Sequence, residues 1–380
     1  MPNQFISIKQ IARETLPRLI DNLVFPKLIS NDFSDTFNQK LGDKIQVRKP
    51  VILQADEFDP DTGVTAQATK EESVEVALDK IATVDIEISA LESATSVNDM
   101  NRIFIEPAAV ALAEKINSDG LLLYKDIPFV HGTAGTTPSA KTDFTSARKI
   151  LNKNKAPTMP RNAVWDPDAE AKFLELDAFS DADKSGSTQA LRDGAIGRLY
   201  GFNNYMAQDV KKHTKGTLAV TGTNASIVIK TAITAATDTV VLKNSATSGT
   251  PTISGTLVVG DILTIEGKNY TVKENAAVAE ATSDITVKVY PNITSAAADT
   301  VVTVTGTHVA NLCFHPSAFT FVTRPLVSPA GVESYVTNYD GISLRVVRGY
   351  NMQYKKEVLS MDVLYGFKTM YPELAVRVLG

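Results

Sequence analysis

Asp261-Ile-Leu-Thr-Ile-Glu266, then Gly267-Lys268, then Asn269-Tyr-Thr-Val-Lys273 reads as two short strands joined by a tight turn. Tyr270 and Val272 alternate with polar neighbours, which is the period of a half-buried strand. Gly267 supplies the conformational freedom that a two-residue turn requires. The same chemistry continues outward from this hairpin. From Gly216 to His308 there is no Phe or Trp, the only Tyr are Tyr270 and Tyr290, and about 20 residues are Thr. β-Branched side chains fit pleated, half-buried surfaces. Ser226–Thr231, Thr239–Lys243, Asp284–Tyr290 and Thr300–Thr305 are further strand candidates, separated by Gly, Asn, Ser and Asp. The alternation is too regular for a Thr/Ala linker. It predicts a small barrel or sandwich of five or six strands.

The residues on either side have a different composition. Arginine occurs at Arg192 and Arg198 and not again until Arg324, and methionine is missing between Met206 and Met352. Both flanks contain Phe, Tyr, Arg and Met. A β module inserted at 216–308 into one host domain explains the break. The length of 380 residues fits two or three domains, with one as the alternative.

In the host, Ile8, Ile11, Leu16, Leu19 and Leu23 recur at helical spacing, with Ser7 as a possible cap and Pro17 expected to kink or break the helix. Such a helix is either an arm that packs on a neighbour or a first core helix. Gly42-Asp-Lys-Ile-Gln-Val-Arg-Lys-Pro50 is a strand with one polar face, and Ser73–Ser89 is its expected partner. The polar stretch between them, Asp56-Glu-Phe-Asp-Pro-Asp-Thr-Gly63 included, makes a long hairpin with a solvated tip. A long hairpin with little to bury needs a partner surface, and a second subunit is a natural one. Asn98 or Asp99 can cap the following helix, Pro107 suits its first turn, and Ala109, Leu112, Ala113, Ile116, Gly120 and Leu123 mark its apolar face. Phe144–Asn152 is a second helix, and Ala163-Val-Trp165 a strand leading through Pro167 into a helix near Asp168–Leu176. Asn311–Phe314, Ala318–Val322, Ile342–Val347 and Gln353–Tyr365 complete an α+β host.

Composition excludes several classes. Hydrophobic residues are 43% and charged residues 21%, so the chain folds. Net charge is −5, with no dense basic tract of a dedicated nucleic-acid binder. Cys313 alone cannot form an intrachain disulfide, which makes a reducing cytoplasm the simplest home. No apolar run reaches the roughly 18 residues of a membrane span, and the N-terminus lacks a signal-peptide core. His131, His213, His308 and His315 are scattered. Cys313 and His315 fall on one face of a strand by alternation, without a second ligand pair for zinc. Asp181-Ala-Asp-Lys-Ser-Gly186 starts like a calcium loop, but Arg192 stands where the bidentate Glu belongs. Gly132–Ser139 lacks the Lys-Ser/Thr of a phosphate loop, and no GxSxG or strand-linked GxGxxG occurs. The sequence shows no enzyme signature and implies no cofactor.

With these parts in place, seven stretches, in order, resemble the major capsid proteins of tailed phages with the Hong Kong 97 fold. The closest resemblance is to the phage P twenty-two-like coat proteins. Leu16–Phe37 is similar to the N-terminal arm, Gly42–Pro50 to the strand entering the extended loop, and Phe104–Glu114 to the start of the spine helix. Leu191–Phe202 resembles an axial-domain signature, Gly260–Gly267 a piece of the inserted domain, Asn311–Phe319 the return from it, and Asp362–Leu374 the C-terminal strand.

The resemblance implies an arm at 1–40, an extended-loop hairpin and peripheral strands at 41–95, and a spine helix at 96–130. It further implies an axial domain at 131–215 returning at 309–345, an inserted all-β domain at 216–308, and C-terminal strands at 346–380. It also implies an icosahedral shell of pentamers and hexamers, a scaffolding protein, a portal and enclosed double-stranded DNA. The place is the virion, after assembly in the host cytoplasm. The arm of 1–40 would change conformation as the shell matures, and the hairpin of 43–88 would reach a neighbouring subunit. Candidate inter-subunit contacts are Arg48, Lys49, Asp56, Glu57, Asp59 and Asp61 on the hairpin, and Asn244, Ser245 and Ser248 in an expected loop at Asn244–Gly255. No Lys–Asn crosslinking pair is identifiable. The alternatives are an encapsulin-type cargo shell, which shares the fold, and a β-rich adhesin or carbohydrate-binding module.

Overall fold

The hairpin at 261–273 forms with the register Ile262↔Thr271 to Ile265↔Lys268. Its two turn residues are Glu266 and Gly267, at φ 50° and 74°, so the turn sits one residue earlier than Gly267-Lys268. Two left-handed residues match the right-handed twist of the flanking strands. This computed structural model describes residues 8–31, 42–49, 73–88, 105–176, 194, 196–246, 248–278, 284–329, 331–339, 341–351 and 356–380.

Around that hairpin runs a six-stranded antiparallel sheet. Its order is Ile227–Ile229, Thr237–Asn244, Ile285–Ile293, Lys268–Val272, Ile262–Ile265 and Val302–Val304. The two edge strands meet through a Val228↔Val301 bridge and an Ile229 N–H bond to Thr300 O at 3.0 Å, so the sheet closes into a barrel. Closure removes the open edges that would otherwise invite mispairing. Every buried residue of the barrel core lies between Leu218 and Val302, and all but Tyr270 are aliphatic. Two small ribbons absent from the sequence reading accompany it: Ala219–Thr223 with Ser248–Ser254, and Thr256–Leu257 with Ala276–Ala277.

The chain packs as two units. One comprises Met1–Asn22, Asn31–Ala113 and Thr320–Met370; the other comprises Leu23–Ser30, Glu114–Phe319 and Tyr371–Gly380. Segment 309–345 therefore contributes to both.

In the first unit a five-stranded sheet is built on the long strand Lys356–Thr369. Ile342–Asn351 and then Glu333–Tyr339 follow it on one side, and Phe319–Arg324 and Lys80–Ile88 also pair with it. Helix Ile8–Asn22 lies on the two strands Glu333–Tyr339 and Ile342–Asn351 and buries Ile11, Ala12, Leu16, Leu19 and Ile20. Those residues thus form a core helix in this structure. Pro17 sits within the helix without ending it, because buried Leu16 and Leu19 hold the turns on both sides. Lys44–Arg48 pairs with Ser73–Ala77, but Lys80–Ile88 leaves the hairpin and pairs with Lys356–Thr369 instead. A five-residue strand cannot satisfy the backbone groups of a partner stretch three times as long, so the remainder finds a second neighbour. Asn98, Asp99 and the Asp181–Arg192 segment lie outside the described residues.

The second unit contains the barrel and its host sheet. The sheet runs Val130–His131, Ala375–Leu379, His308–Phe314, Asn162–Trp165, Phe202–Met206, Arg198–Leu199, and Lys212–His213 pairs with the start of His308–Phe314. Helices Lys141–Lys153 and Pro167–Leu174 cover it over Phe144, Ala147, Leu151, Trp165, Ala169, Phe173 and Phe202. Helix Glu106–Leu121 tightens at its end into the 3₁₀ turn Leu122–Asp126. The change of period buries Tyr124 and leaves Leu123 half-exposed, against the expected helical face. No helix among the described residues is long and apolar enough to cross a membrane.

Candidate assembly surfaces and the root of the barrel

The hairpin base has two unlike faces. Ile45 opposes Val76 and Val47 opposes Val74 on one; Lys44, Gln46 and Glu75 occupy the other. Lys44 Nζ lies 2.7 Å from a Glu75 carboxylate oxygen, and Gln46 Nε2 donates to the other oxygen at 3.3 Å. The Lys44–Glu75 hydrogen bond and its charge attraction raise the Lys44 pKa and lower that of Glu75. Lys49 follows the strand, half-buried, and Arg48 pairs through its backbone with Ser73. Asp56, Glu57, Asp59 and Asp61 lie outside the described residues.

The expected loop at Asn244–Gly255 is largely strand. Asn244 ends one barrel strand, and Ser248–Ser254 pairs with Ala219–Thr223, with Thr252↔Thr221 and Ile253↔Val220 in register. The pairing follows from burial of Ile253, which is 2% exposed. Asn244 Nδ2 donates to Thr221 O at 2.7 Å and to Thr252 O at 2.8 Å, and its Oδ1 accepts from Ala246 N–H at 2.9 Å. Ser245 Oγ accepts from Ser226 N–H at 3.0 Å. Asn244 and Ser245 therefore stitch the ribbon to the barrel. Ser248 takes part through its backbone, opposite Thr223.

At the root of the barrel the structure assembles five side chains that sequence spacing did not connect: Tyr124, His213, Asp261, His308 and Arg377. Asp261, fully buried, accepts from His213 Nε2 at 2.9 Å and from the Val258 N–H at 2.8 Å and Gly216 N–H at 3.2 Å. His213 Nδ1 lies 3.0 Å from the Tyr124 hydroxyl, so a neutral ring donates to the carboxylate and accepts from the phenol. His308 packs on His213 with ring centroids 5.2 Å apart, and its Nδ1 donates to Gly306 O at 2.8 Å. Burial drives its pKa down to about 4, and Arg377 and His213 push the same way. Arg377, from the last strand, donates to Gly260 O at 2.9 Å, to Ile127 O at 3.0 Å and to Tyr124 O. Its guanidinium lies over the Tyr124 ring, 4.9 Å from the centroid. Burial lowers its pKa to about 10 and raises that of Tyr124. Asp261, His308 and Arg377 each bond to backbone groups, and Tyr124 and His213 link them through side chains. His213 is 3% and Asp261 0% exposed, so the pair is almost wholly withdrawn from solvent. The arrangement is a fastening. Its one sequence signal was His213 and His308 at the two margins of the inserted composition.

The remaining sequence candidates stay apart. Cys313 is buried in the host sheet, and burial raises its pKa. His315 lies beyond the strand His308–Phe314, where its Nδ1 caps the turn Pro316–Ala318 by accepting from Ser317 N–H at 3.2 Å. The two therefore do not share a strand face. Among the described residues no group of three His, Cys, Asp or Glu is placed to hold a metal.

No family model matches this sequence, and no curated protein does. Solved structures do match it. A structure titled for Mycobacterium phage Che8 aligns over 94% of this chain and 90% of its own, at TM-score 0.53 and 14% identity. This is the Hong Kong 97-type capsid fold. Two further structures with the Hong Kong 97-type fold align less closely. The capsid structure of cyanophage P-SCSP1u covers 89% of this chain and 83% of its own, with TM-score 0.48 and 12% identity. The asymmetric unit of the bacteriophage PhiM1 mature capsid covers 94% and 86%, with TM-score 0.48 and 10% identity.

Proposed function

We propose that this chain is the major capsid subunit of a tailed phage, closing into an icosahedral shell of pentamers and hexamers around double-stranded DNA. The observation that carries the reading is the capsid fold, shared over 94% of the chain with a phage structure. A closed, self-sufficient barrel inserted into that fold fits a subunit that adds a surface module without rebuilding its shell-forming body. The role is structural, with no catalysis. In this reading 41–95 carries the extended loop, 96–130 the spine helix, and 131–215 with 309–345 the axial domain. The acidic residues Asp56, Glu57, Asp59 and Asp61 of the loop, and Arg48 and Lys49 of the hairpin, meet a neighbouring subunit. A scaffolding protein and a portal assist assembly in the host cytoplasm, and the virion is the final place.

Velocity sedimentation of the expressed chain, with and without its scaffolding partner, tests this, followed by electron microscopy of any fast fraction. Closed particles tens of nanometres across are expected. A chain that stays monomeric under every condition would overturn the reading. Particles whose assembly depends on a cargo peptide rather than a scaffold would move it to an encapsulin-type shell.

A further inference from the structure

Beside the fastening at the barrel root is an open cleft of about 650 Å³. Lys125, Lys211 and Lys212 line it, with Tyr124, His213, Thr214 and Asn275, and no Asp or Glu does. This stands out in a chain with 43 acidic and 38 basic residues. None of the three lysines has an ion-pair partner among the described residues. The carboxylate that feels the charge of Lys211, Asp209, has its own pKa raised by burial and by Glu114.

The backbones that carry these cations are fixed. The Lys125 carbonyl accepts from Thr271 Oγ1 at 2.7 Å, and its aliphatic stem runs beneath Gly260. At φ 97°, a Cβ on Gly260 would come within 2.8 Å of Lys125 Cγ, so glycine is what allows the barrel to rest there. Lys211 O accepts from Ala310 N–H at 3.0 Å, and Lys212 is in register with Val309. Asn275 Oδ1 is engaged by Val259 N–H at 2.8 Å, which leaves its Nδ2 to donate. The lining thus carries positive charge on backbones that are held in place, which lowers the entropic cost of binding.

We propose that this cleft binds phosphate groups. Planar carboxylates are matched best by the arginine fork, and no arginine lines the cleft. Three lysines lining one concavity suit a multiply charged tetrahedral anion, and the volume falls in the range of small-ligand sites. The phosphate can belong to a free polyphosphate or to a nucleic-acid backbone. The proposal stands apart from the shell reading, because binding is measured on the subunit whether or not it assembles.

The test is fluorescence polarisation of the full chain with a labelled single-stranded oligonucleotide across a salt series, with pyrophosphate as competitor. The variants are Lys211→Gln/Lys212→Gln and, separately, Lys125→Gln, with Trp165 fluorescence as the check of folding. The double variant is expected to bind at least about tenfold more weakly. Loss of two phosphate contacts should also flatten its log K against log salt slope by about 1.4. Competition by pyrophosphate would make the phosphate group itself the ligand. Oligonucleotide binding without such competition would make it the polymer backbone, and either supports the site. Absence of binding to both probes at low salt overturns the proposal, as does binding that is unchanged in both variants.

Discussion

The barrel and the sheet that carries it solve the same problem with different materials. The barrel core is aliphatic apart from Tyr270, held between strands that alternate inward and outward. The host sheet instead packs Trp165, on a strand buried along its whole length, against Phe144 and Phe173 of its covering helices, with ring centroids 4.5–5.0 Å apart. Barrel strands mostly pair with neighbours close in the chain, whereas Asn162–Trp165 lies between Phe202–Met206 and His308–Phe314. A module that closes on itself can be inserted without disturbing the host core, provided its root is fastened. Here the fastening is polar and buried, and Arg377 from the last strand grips Gly260 at the barrel's base.

The largest effect is expected in the aromatic core. Phe144→Ala should cost about 3–5 kcal/mol and shift the unfolding transition seen by Trp165, the one tryptophan of the chain. Leu242→Ala, at 0% exposure in the barrel, should cost about 2–5 kcal/mol. Its transition should appear in calorimetry and leave the Trp165 signal nearly in place. If both variants moved the Trp165 transition equally, the barrel would be an integral part of the host and the contrast would fail.

The fastening should respond to pH. In the unfolded chain His308 has its ordinary pKa of 6.5, and in the folded chain one of about 4. Between those values the unfolded chain binds more protons, so stability is complete above pH 6.5 and falls as pH drops toward 4. The loss by pH 5 is about 2 kcal/mol. A protonated His308 would lose hydration and face Arg377 and His213, with the Gly306 carbonyl and Asp261 opposing them. Urea midpoints at pH 7.5 and 5.0 measure this, and His308→Gln should flatten the difference. An undiminished pH dependence in that variant would place its origin elsewhere.

Legibility in the sequence divides along the same line. The barrel could be read because alternation at Tyr270 and Val272 and the turn at Gly267 are local signals. The host sheet was only partly readable. Ala163–Trp165 reads as a strand even though burial on every residue erases the period, whereas Glu333–Tyr339, half-exposed or exposed along its length, shows no apolar alternation and went unseen. The fastening was hardly readable beyond the two histidines at the margins of the insertion, because Tyr124, His213, Asp261, His308 and Arg377 are brought together by topology. Burial of Tyr124 depends on a 3₁₀ turn that breaks the helical count at Leu123. The capsid resemblance lay in the order of segments, which survives where individual motifs are weak.

The smallest effect is the one that separates two roles for a single residue. Asn244 is a subunit-contact candidate from sequence, yet from the end of its barrel strand its amide bridges Thr221 O and Thr252 O of the adjoining ribbon. Asn244→Ala removes both bonds at a half-exposed position, where water can replace part of what is lost. A cost of about 1 kcal/mol is expected, confined to the barrel transition. If the amide only stitches the ribbon, particle yield and diameter stay the same when assembly is run well below the barrel's melting temperature. If yield falls while the barrel transition does not move, the side chain meets a neighbour and the internal bonds are incidental. Losses in both would mean that the ribbon is a contact surface whose shape Asn244 maintains, and Asn244→Asp, which loses the two donors and keeps the side-chain size, should then reproduce both.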